Sequence, residues 1–372
     1  MKRGIGTLLL LLAVTIWAPC RAAEAEEDED FVIASLLVAS PGDVLYSCVG
    51  HACLRMQCPE HGLDYCFSYE GEPVEHQIPR FFAGRLKMGM YAVPTKDYLP
   101  FFANDKRGVK QYRLSLPLEA KRRLWEILDN RAMEGADLSY DYLKHGCAQT
   151  IIQFLVQSLD TIPIQFAPWT EKYDKTRREL LASRISAYPW NRITLYTLVG
   201  NEADDTDCSQ LERVVTPLDL LEVLQGATVN GGPIISEAPV QLLPEGKSVG
   251  RTWFTPMLLA ILLLWLSLAN FWLRWPFADW LLLGLQFLLG LFLCYLVFVS
   301  DLPCTEWNWL LIPFNPLPLL LWRWHRRWAL AFAAILVGWL LVMCFYPHQL
   351  TDWAYVVLVT AFVPVFCRQR NK

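Results

Sequence analysis

The sequence predicts an α+β domain held outside the membrane, followed by an all-α domain of five transmembrane helices. Three observations lead there. First, 54% of the 372 residues are hydrophobic and only 19% are charged, where a soluble domain carries roughly a quarter of charged residues. Second, the bias is local: 12 of the 16 Trp lie from Trp253 onward, and that stretch holds only 11 charged side chains. Third, the N-terminus has the layout of an export signal. The domain boundaries that follow are 1–23 for a signal peptide, 24–252 for the exported domain and 253–372 for the membrane domain. A net charge of −4 gives no electrostatic footprint for nucleic acid, which is not an expected partner.

In the signal segment, Lys2 and Arg3 precede the apolar run Leu8–Ala18, and small residues stand before the acidic stretch Glu24–Asp30. Ala23-Glu24-Ala25 fits the small-x-small cleavage rule. Cys20 raises the question of lipidation, but Pro19 stands where a lipobox needs a small residue.

The membrane domain follows from length and charge. Trp253–Leu273 and Trp280–Ser300 are 21 residues each without a charge, and Trp328–Tyr346 is 19. At about 1.5 Å per residue each crosses a hydrocarbon core of about 30 Å. Trp307–Trp322, with Pro313, Pro316 and Pro318, and Trp353–Cys367 are shorter. Counting them as spans places Arg274, the Arg323/Arg326/Arg327 cluster and the Arg368/Arg370/Lys372 cluster all inside, as the positive-inside rule requires. Five spans are therefore expected, the Pro-rich one packed inward because irregular backbone at membrane depth needs protein cover. Asp301 and Glu306 then fall in a solvated outer loop.

In the exported domain, Phe31–Val38 reads as a buried strand and Ser40-Pro41-Gly42-Asp43 as a turn. His51, Cys53 and Arg55 alternate with Ala52, Leu54 and Met56, a strand with two distinct faces. Tyr65/Phe67/Tyr69 and Tyr112/Leu114/Leu116 alternate likewise, and a helix opens at Pro117. A second amphipathic helix runs from Cys147 to Leu159, Ile193–Val199 reads as a strand, and the remainder to Arg251 as a loop-rich connector.

Cys147 is the candidate nucleophile. It follows Gly146 at the start of a helix, where the dipole and free N–H groups favour a thiolate and can hold an oxyanion. A thiolate nucleophile needs a base. His51 follows Gly50 at a strand start; His145 lies two residues away on a turn, after Tyr140 and Tyr142. A purely structural cysteine is the alternative. Arg55 shares the face of His51 and suits either an anion or a salt bridge. Cys48, Cys53, Cys58 and Cys66 are spaced C-x4-C-x4-C-x7-C, which is no standard zinc pattern; disulfides or inert thiols are expected, with no metal and no cofactor. Gly246–Gly250 matches G-x-S-x-G but lacks the strand and helix that give that motif meaning.

Ser40-Pro41-Gly42-Asp43-x-x-Tyr46-Ser47-x-x-Gly50-His51-Ala52-x-x-Arg55 resembles the signature of the Lnb family of bacterial lipoprotein N-acyltransferases. Asp64–Gly71, Gly84–Tyr91, Arg107-Gly108-Val109, Tyr140-x-Tyr142, Gly200-x-x-Ala203-Asp204 and Asn308-Trp309-Leu310-Leu311 follow in the family's order. The His-before-Cys order is also similar to circularly permuted papain-like domains. The resemblance implies a periplasmic thiol acyltransferase of the inner membrane with Cys147 as nucleophile and His51 as base; Gly50, Arg55, Tyr142 and His145 are supporting candidates by their positions beside these two. Its implied partners are a phospholipid acyl donor and a lipoprotein acceptor. The family usually has Asp-Asn before the cysteine, where this chain has His145-Gly146. A membrane-tethered cysteine peptidase or amidase, and a non-enzymatic envelope assembly factor, are the competing expectations.

Overall fold

A seven-stranded antiparallel sheet organises the N-terminal part, in the order β10-β5-β1-β2-β3-β4-β6. The computed structural model describes residues 31–71, 77–135, 138–139, 141, 143–168, 175–246, 252–321, 325–345 and 352–368. The signal segment, Tyr140, Tyr142 and residues 247–250 of the G-x-S-x-G match lie outside the described residues. The strands are β1 (Ile33–Ala39), β2 (His51–Cys58), β3 (Leu63–Gly71), β4 (Lys87–Pro94), β5 (Val109–Arg113), β6 (Leu138–Ser139) and, after the second sheet, β10 (Val240–Leu243). A smaller sheet joins β7 (Ile164–Phe166), β8 (Ala227–Val229) and β9 (Gly232–Pro233). The β2–β3 hairpin turns through Pro59–His61 and a left-handed Gly62, and its register pairs Leu54 with Phe67 and Arg55 with Cys66.

The two faces of the main sheet differ as the alternation in β2 requires. One carries Leu36, Leu54, Met56 and Phe67, all at most 2% exposed; each such side chain contributes about 1.5–3 kcal/mol on burial. The helices α3 (Leu118–Glu134) and α4 (Cys147–Leu159) pack against each other and onto this sheet. Leu124 and Leu128 of α3, and Ile151, Ile152, Leu155 and Leu159 of α4, lie inward at helical spacing. The opposite face carries Leu37, Ala39, Cys53 and Cys66. It is closed by Tyr98 and Phe102 of α2 (Thr95–Asn104). A short helix, α1 (Ile78–Phe82), precedes β4.

Two expectations fail in the connector. Ile193–Val199 is not a strand: it lies in α6 (Pro189–Leu198), which follows α5 (Arg177–Arg184). Pro189 is pre-set for a first helical turn, and Tyr196 packs into the apolar cluster of the membrane helices; tertiary contacts override the β-branched composition. The stretch after it also holds α7 (Pro217–Gln225), opened by a Thr216–Asp219 capping box with Pro217 at its start.

The C-terminal part is helical. Among the described residues, three helices are long and apolar enough to cross a membrane: α8 (Pro256–Leu273), α9 (Pro276–Phe298) and Trp328–Phe345 within α11 (His325–Phe345). α12 (Trp353–Arg368) is apolar but shorter. The five expected spans are thus three candidate spans plus two shorter segments. Trp307–Trp322 is not a helical span as far as it is described. It forms a 3-10 turn at Trp309–Leu311 and a single turn, α10 (Leu317–Leu320). Pro313, Pro316 and Pro318 cannot donate to a helical ladder. The segment is nevertheless packed inward: Phe314 is fully buried, and Gln286 of α9 donates to the Pro313 carbonyl at 2.7 Å.

Residues 32–372 form one compact unit, and its halves are bonded to each other. Trp190 Nε1 donates to Phe254 O just before α8 (2.8 Å). Asp301 N, after α9, donates to Ala83 O (3.0 Å), and Ser300 Oγ to Phe82 O (2.6 Å). Asp352, at the start of α12, pairs with Arg192 at 2.8 Å. In the loop expected to be solvated, the Asp301 and Glu306 side chains are indeed exposed, while its backbone joins the two halves. A Cβ at Gly200 would overlap the Glu306 carbonyl, so only glycine allows that approach.

Candidate functional site

β2 begins at His51 and α4 begins at Cys147, and the two residues meet. Gly50 sets up the strand start: its φ is +88°, and an added Cβ would sit 2.8 Å from Ala39 O, so only glycine fits without strain. Gly146, extended, is the N-cap of α4. The turn before it is held by Asp141, 2% exposed, whose Oδ1 accepts the N–H groups of Leu143 (2.9 Å) and Lys144 (3.2 Å).

The half-buried Cys147 thiol hydrogen-bonds the His51 ring and takes the backbone N–H groups of Ala52 and Ala148. Burial pushes this thiol upward. The His51 charge and hydrogen bond, with those two N–H groups, outweigh it and hold Cys147 below the ordinary thiol range. Burial likewise disfavours a charged His51, but the Cys147 thiolate and Glu70 more than offset it and raise the imidazole to about 10. Both shifts favour the thiolate–imidazolium form, the charge state that a cysteine nucleophile uses.

Glu70 is the residue that sequence reasoning missed. His51 Nε2 lies 2.8 Å from Ser68 Oγ and 3.4 Å from Glu70 Oε1. Ser68 Oγ donates to Glu70 Oε1 at 2.5 Å, and the Tyr98 hydroxyl donates to the same carboxylate. Burial raises Glu70, but His51, Ser68 and Tyr98 bring it down to about 2. Phe102 stacks on the other side of the imidazole, with ring centroids 6.3 Å apart. No local pattern points to it: the β2–β3 register, run outward from Leu54–Phe67, is what brings position 70 opposite position 51.

Other residues singled out by sequence have different places. Arg55 forms a two-pronged pair with Asp64 (2.8 and 2.6 Å) and donates to Gln111 (2.7 Å). This is the salt-bridge reading, and it leaves Arg55 committed. His145 is exposed on the turn, its N–H bonded to Asp141 O, and it is not brought to the thiol. Among the described cysteines none is disulfide-bonded. Cys48 is pushed up to about 12 by burial, an inert thiol, while Cys53 and Cys66 hydrogen-bond each other behind His51.

The turn that leads into Cys147 also leans on the membrane half. Leu143 packs in one cluster with Val199, Ala203, Val215 and Cys304. Lys144 pairs with Glu202 at 2.5 Å. The buried Arg178–Asp204 pair (2.7 Å) fixes the Asn201–Asp204 turn, and Arg178 also bonds the Val199 and Gly200 carbonyls. Gly200 N donates in turn to Cys304 O at 2.6 Å.

Residues 24–181 match the family described as the Lnb N-terminal periplasmic domain. No curated protein and no solved structure matches the chain.

Proposed function

We propose, for a chain whose residues 24–181 are an Lnb N-terminal periplasmic domain, that it is a thiol acyltransferase of the bacterial inner membrane. It moves an acyl chain from a phospholipid to the N-terminal amine of a diacylglyceryl-cysteine lipoprotein. The observation that carries this reading is the Cys147–His51–Glu70 constellation at a strand–helix junction bonded to the outer ends of the membrane helices. The periplasmic side of the membrane part is then the side of Phe254, Asp301 and Asp352. On this reading the chain crosses five times, with the Pro-rich segment passing beside α9 under protein cover.

The Cys147 thiolate attacks the acyl ester carbonyl. The tetrahedral oxyanion collapses to a thioester, and lysophospholipid leaves with the proton that the His51 imidazolium supplies. The α-amine of the acceptor cysteine then attacks the thioester. Neutral His51 takes the amine proton, the amide forms and the Cys147 thiolate is regenerated. N–H groups at the start of α4 stabilise the oxyanion in each half-reaction, and Glu70 holds the ring oriented and favours its charged form. No cofactor enters this scheme.

Trapping an acyl-Cys147 thioester from defined phospholipid, and weighing it, tests the first half. Full lipoprotein N-acylation by Cys147→Ser would end the proposal. A peptidase or amidase would use the same pair with water as acceptor. Lipoprotein N-termini and cell-wall fragments weighed from a deletion strain separate the two. An unreactive Cys147 in the purified protein would favour the assembly-factor reading instead.

A further inference from the structure

Two of the motifs singled out in the sequence, Ser40-Pro41-Gly42-Asp43 and Arg107-Gly108-Val109, meet in space beside the nucleophile. Ser40 N donates to Gly108 O (2.8 Å), Gly108 N to Ser40 Oγ (2.9 Å), and Arg107 Nε to Ser40 O (2.7 Å). The Arg107 guanidinium lies over the Phe102 ring at 5.0 Å, and that ring stacks on His51. Arg107 is only 7% exposed, it has no carboxylate within ion-pair distance among the described residues, and its buried Nη2 has no hydrogen-bond partner there. A buried guanidinium with an orphaned N–H edge is costly unless something anionic completes it. Burial holds Arg107 below the usual guanidinium range, and the Cys147 charge is among those that work against this.

The surroundings narrow the ligand. Asn191 donates to Asp43 O at 3.1 Å; its neighbours Trp190 and Arg192 bond Phe254 and Asp352 at the outer ends of α8 and α12. The 40–47 turn beside Arg107 thus stands at the outer membrane boundary, where the phosphates of a bilayer lie. Val44 and Tyr46 on that turn are 45% and 48% exposed, an apolar lip fit for lipid. A side chain at position 42 would press on Arg107 Cδ, 3.2 Å from its Cβ, so the turn closes around the arginine stem.

We propose that Arg107 and the Ser40–Ser47 turn form a phosphate site that holds the phosphodiester of the phospholipid acyl donor while its ester reaches Cys147. This rests on the acyltransferase reading for its substrate, but the anion site itself does not. A guanidinium–phosphate contact at a desolvated site is a strong, often two-pronged interaction. Losing it raises the donor KM by about tenfold or more.

The test uses the full chain in detergent. Cys147 alkylation is followed on its own peptide by mass spectrometry, with anionic iodoacetate against neutral iodoacetamide. The expected iodoacetate preference exceeds that of free cysteine, falls in Arg107→Gln and is largely kept in Arg107→Lys. A short-chain phosphatidylglycerol, but not the matching diacylglycerol, protects the wild-type thiol. Thioester formation from the same two lipids then gives a KM ratio, which Arg107→Gln moves toward the phosphate-free donor. If thioester forms but that ratio is unchanged, the site is refuted and the acyltransferase reading stands. If no donor gives thioester, the acyltransferase reading falls, and the alkylation preference alone decides the anion site. If inorganic phosphate protects as well as phospholipid, the lipid assignment is overturned. Should Arg107→Gln fail to fold, the wild-type protection and the lysine variant still decide.

Discussion

Replacing Glu70 by Gln keeps the shape of the side chain and one acceptor oxygen but removes the charge 3.4 Å from His51 Nε2. At that distance and an effective dielectric of 20, the Coulomb attraction to an imidazolium is about 5 kcal/mol. The carboxylate is 38% exposed, and water screening brings the usable part to about 1–2 kcal/mol. That energy favours the thiolate–imidazolium form over the neutral pair. Its loss should therefore reduce the reactive fraction of Cys147 by about fivefold to thirtyfold. The assay is the rate of Cys147 alkylation by iodoacetamide from pH 5 to 9, read on the Cys147 peptide, with thermal melts confirming that the variant is folded. The rate should fall most where the neutral pair competes, and His51→Ala should take the profile further toward that of a buried, unassisted thiol. A Glu70→Gln protein that alkylates at the wild-type rate across the whole range would refute the argument, leaving Ser68 alone as the partner of the ring.

Three further outcomes are expected. Because Glu70 is held near 2 when folded, its contribution to stability is present above its ordinary value and lost as pH falls through the folded one. The melting-temperature gap between wild type and Glu70→Gln should hold near neutral pH and narrow on acidification toward pH 3. Gly50→Ala forces an L-residue into positive φ and against Ala39 O, costing at least about 1–2 kcal/mol in chemical denaturation and slowing Cys147 alkylation as β2 shifts. Asp141→Ala leaves two backbone N–H groups without their acceptor and should destabilise by about 1–3 kcal/mol, with Asp141→Asn milder; denaturant melts and Cys147 alkylation report both.

What could be read from the sequence was whatever depends on short-range rules. Cys147 after a glycine at a helix start, His51 at the head of an alternating strand, and the three long apolar helices each follow from local spacing or length. Glu70 was illegible from local pattern because its partner lies 19 positions away and only the hairpin register makes them neighbours. Arg55 was ambiguous for the same reason: Asp64, across that hairpin, settles it. Ile193–Val199 misled because a β-branched run was weighed without its setting, a helix that starts at Pro189 and packs on the membrane part. The Thr216–Asp219 capping box was a readable local signal inside a stretch taken for loop. In the Pro-rich segment, inward packing was foreseeable from prolines at membrane depth, whereas its seat against Gln286 of α9 was not.

The seating of Leu143 against Cys304, and of Gly200 against Glu306, bears on how such a protein can be built and altered. Leu143 stands four positions before Cys147, so a change in the 301–306 loop should be felt at Cys147 without altering Cys147, His51 or Glu70. The two halves are then not interchangeable cassettes. A chimera that grafts this exported part onto the helices of a relative must carry the 301–309 loop and the glycine at 200 together, or lose the alignment of its thiol even though Cys147, His51 and Glu70 are all intact.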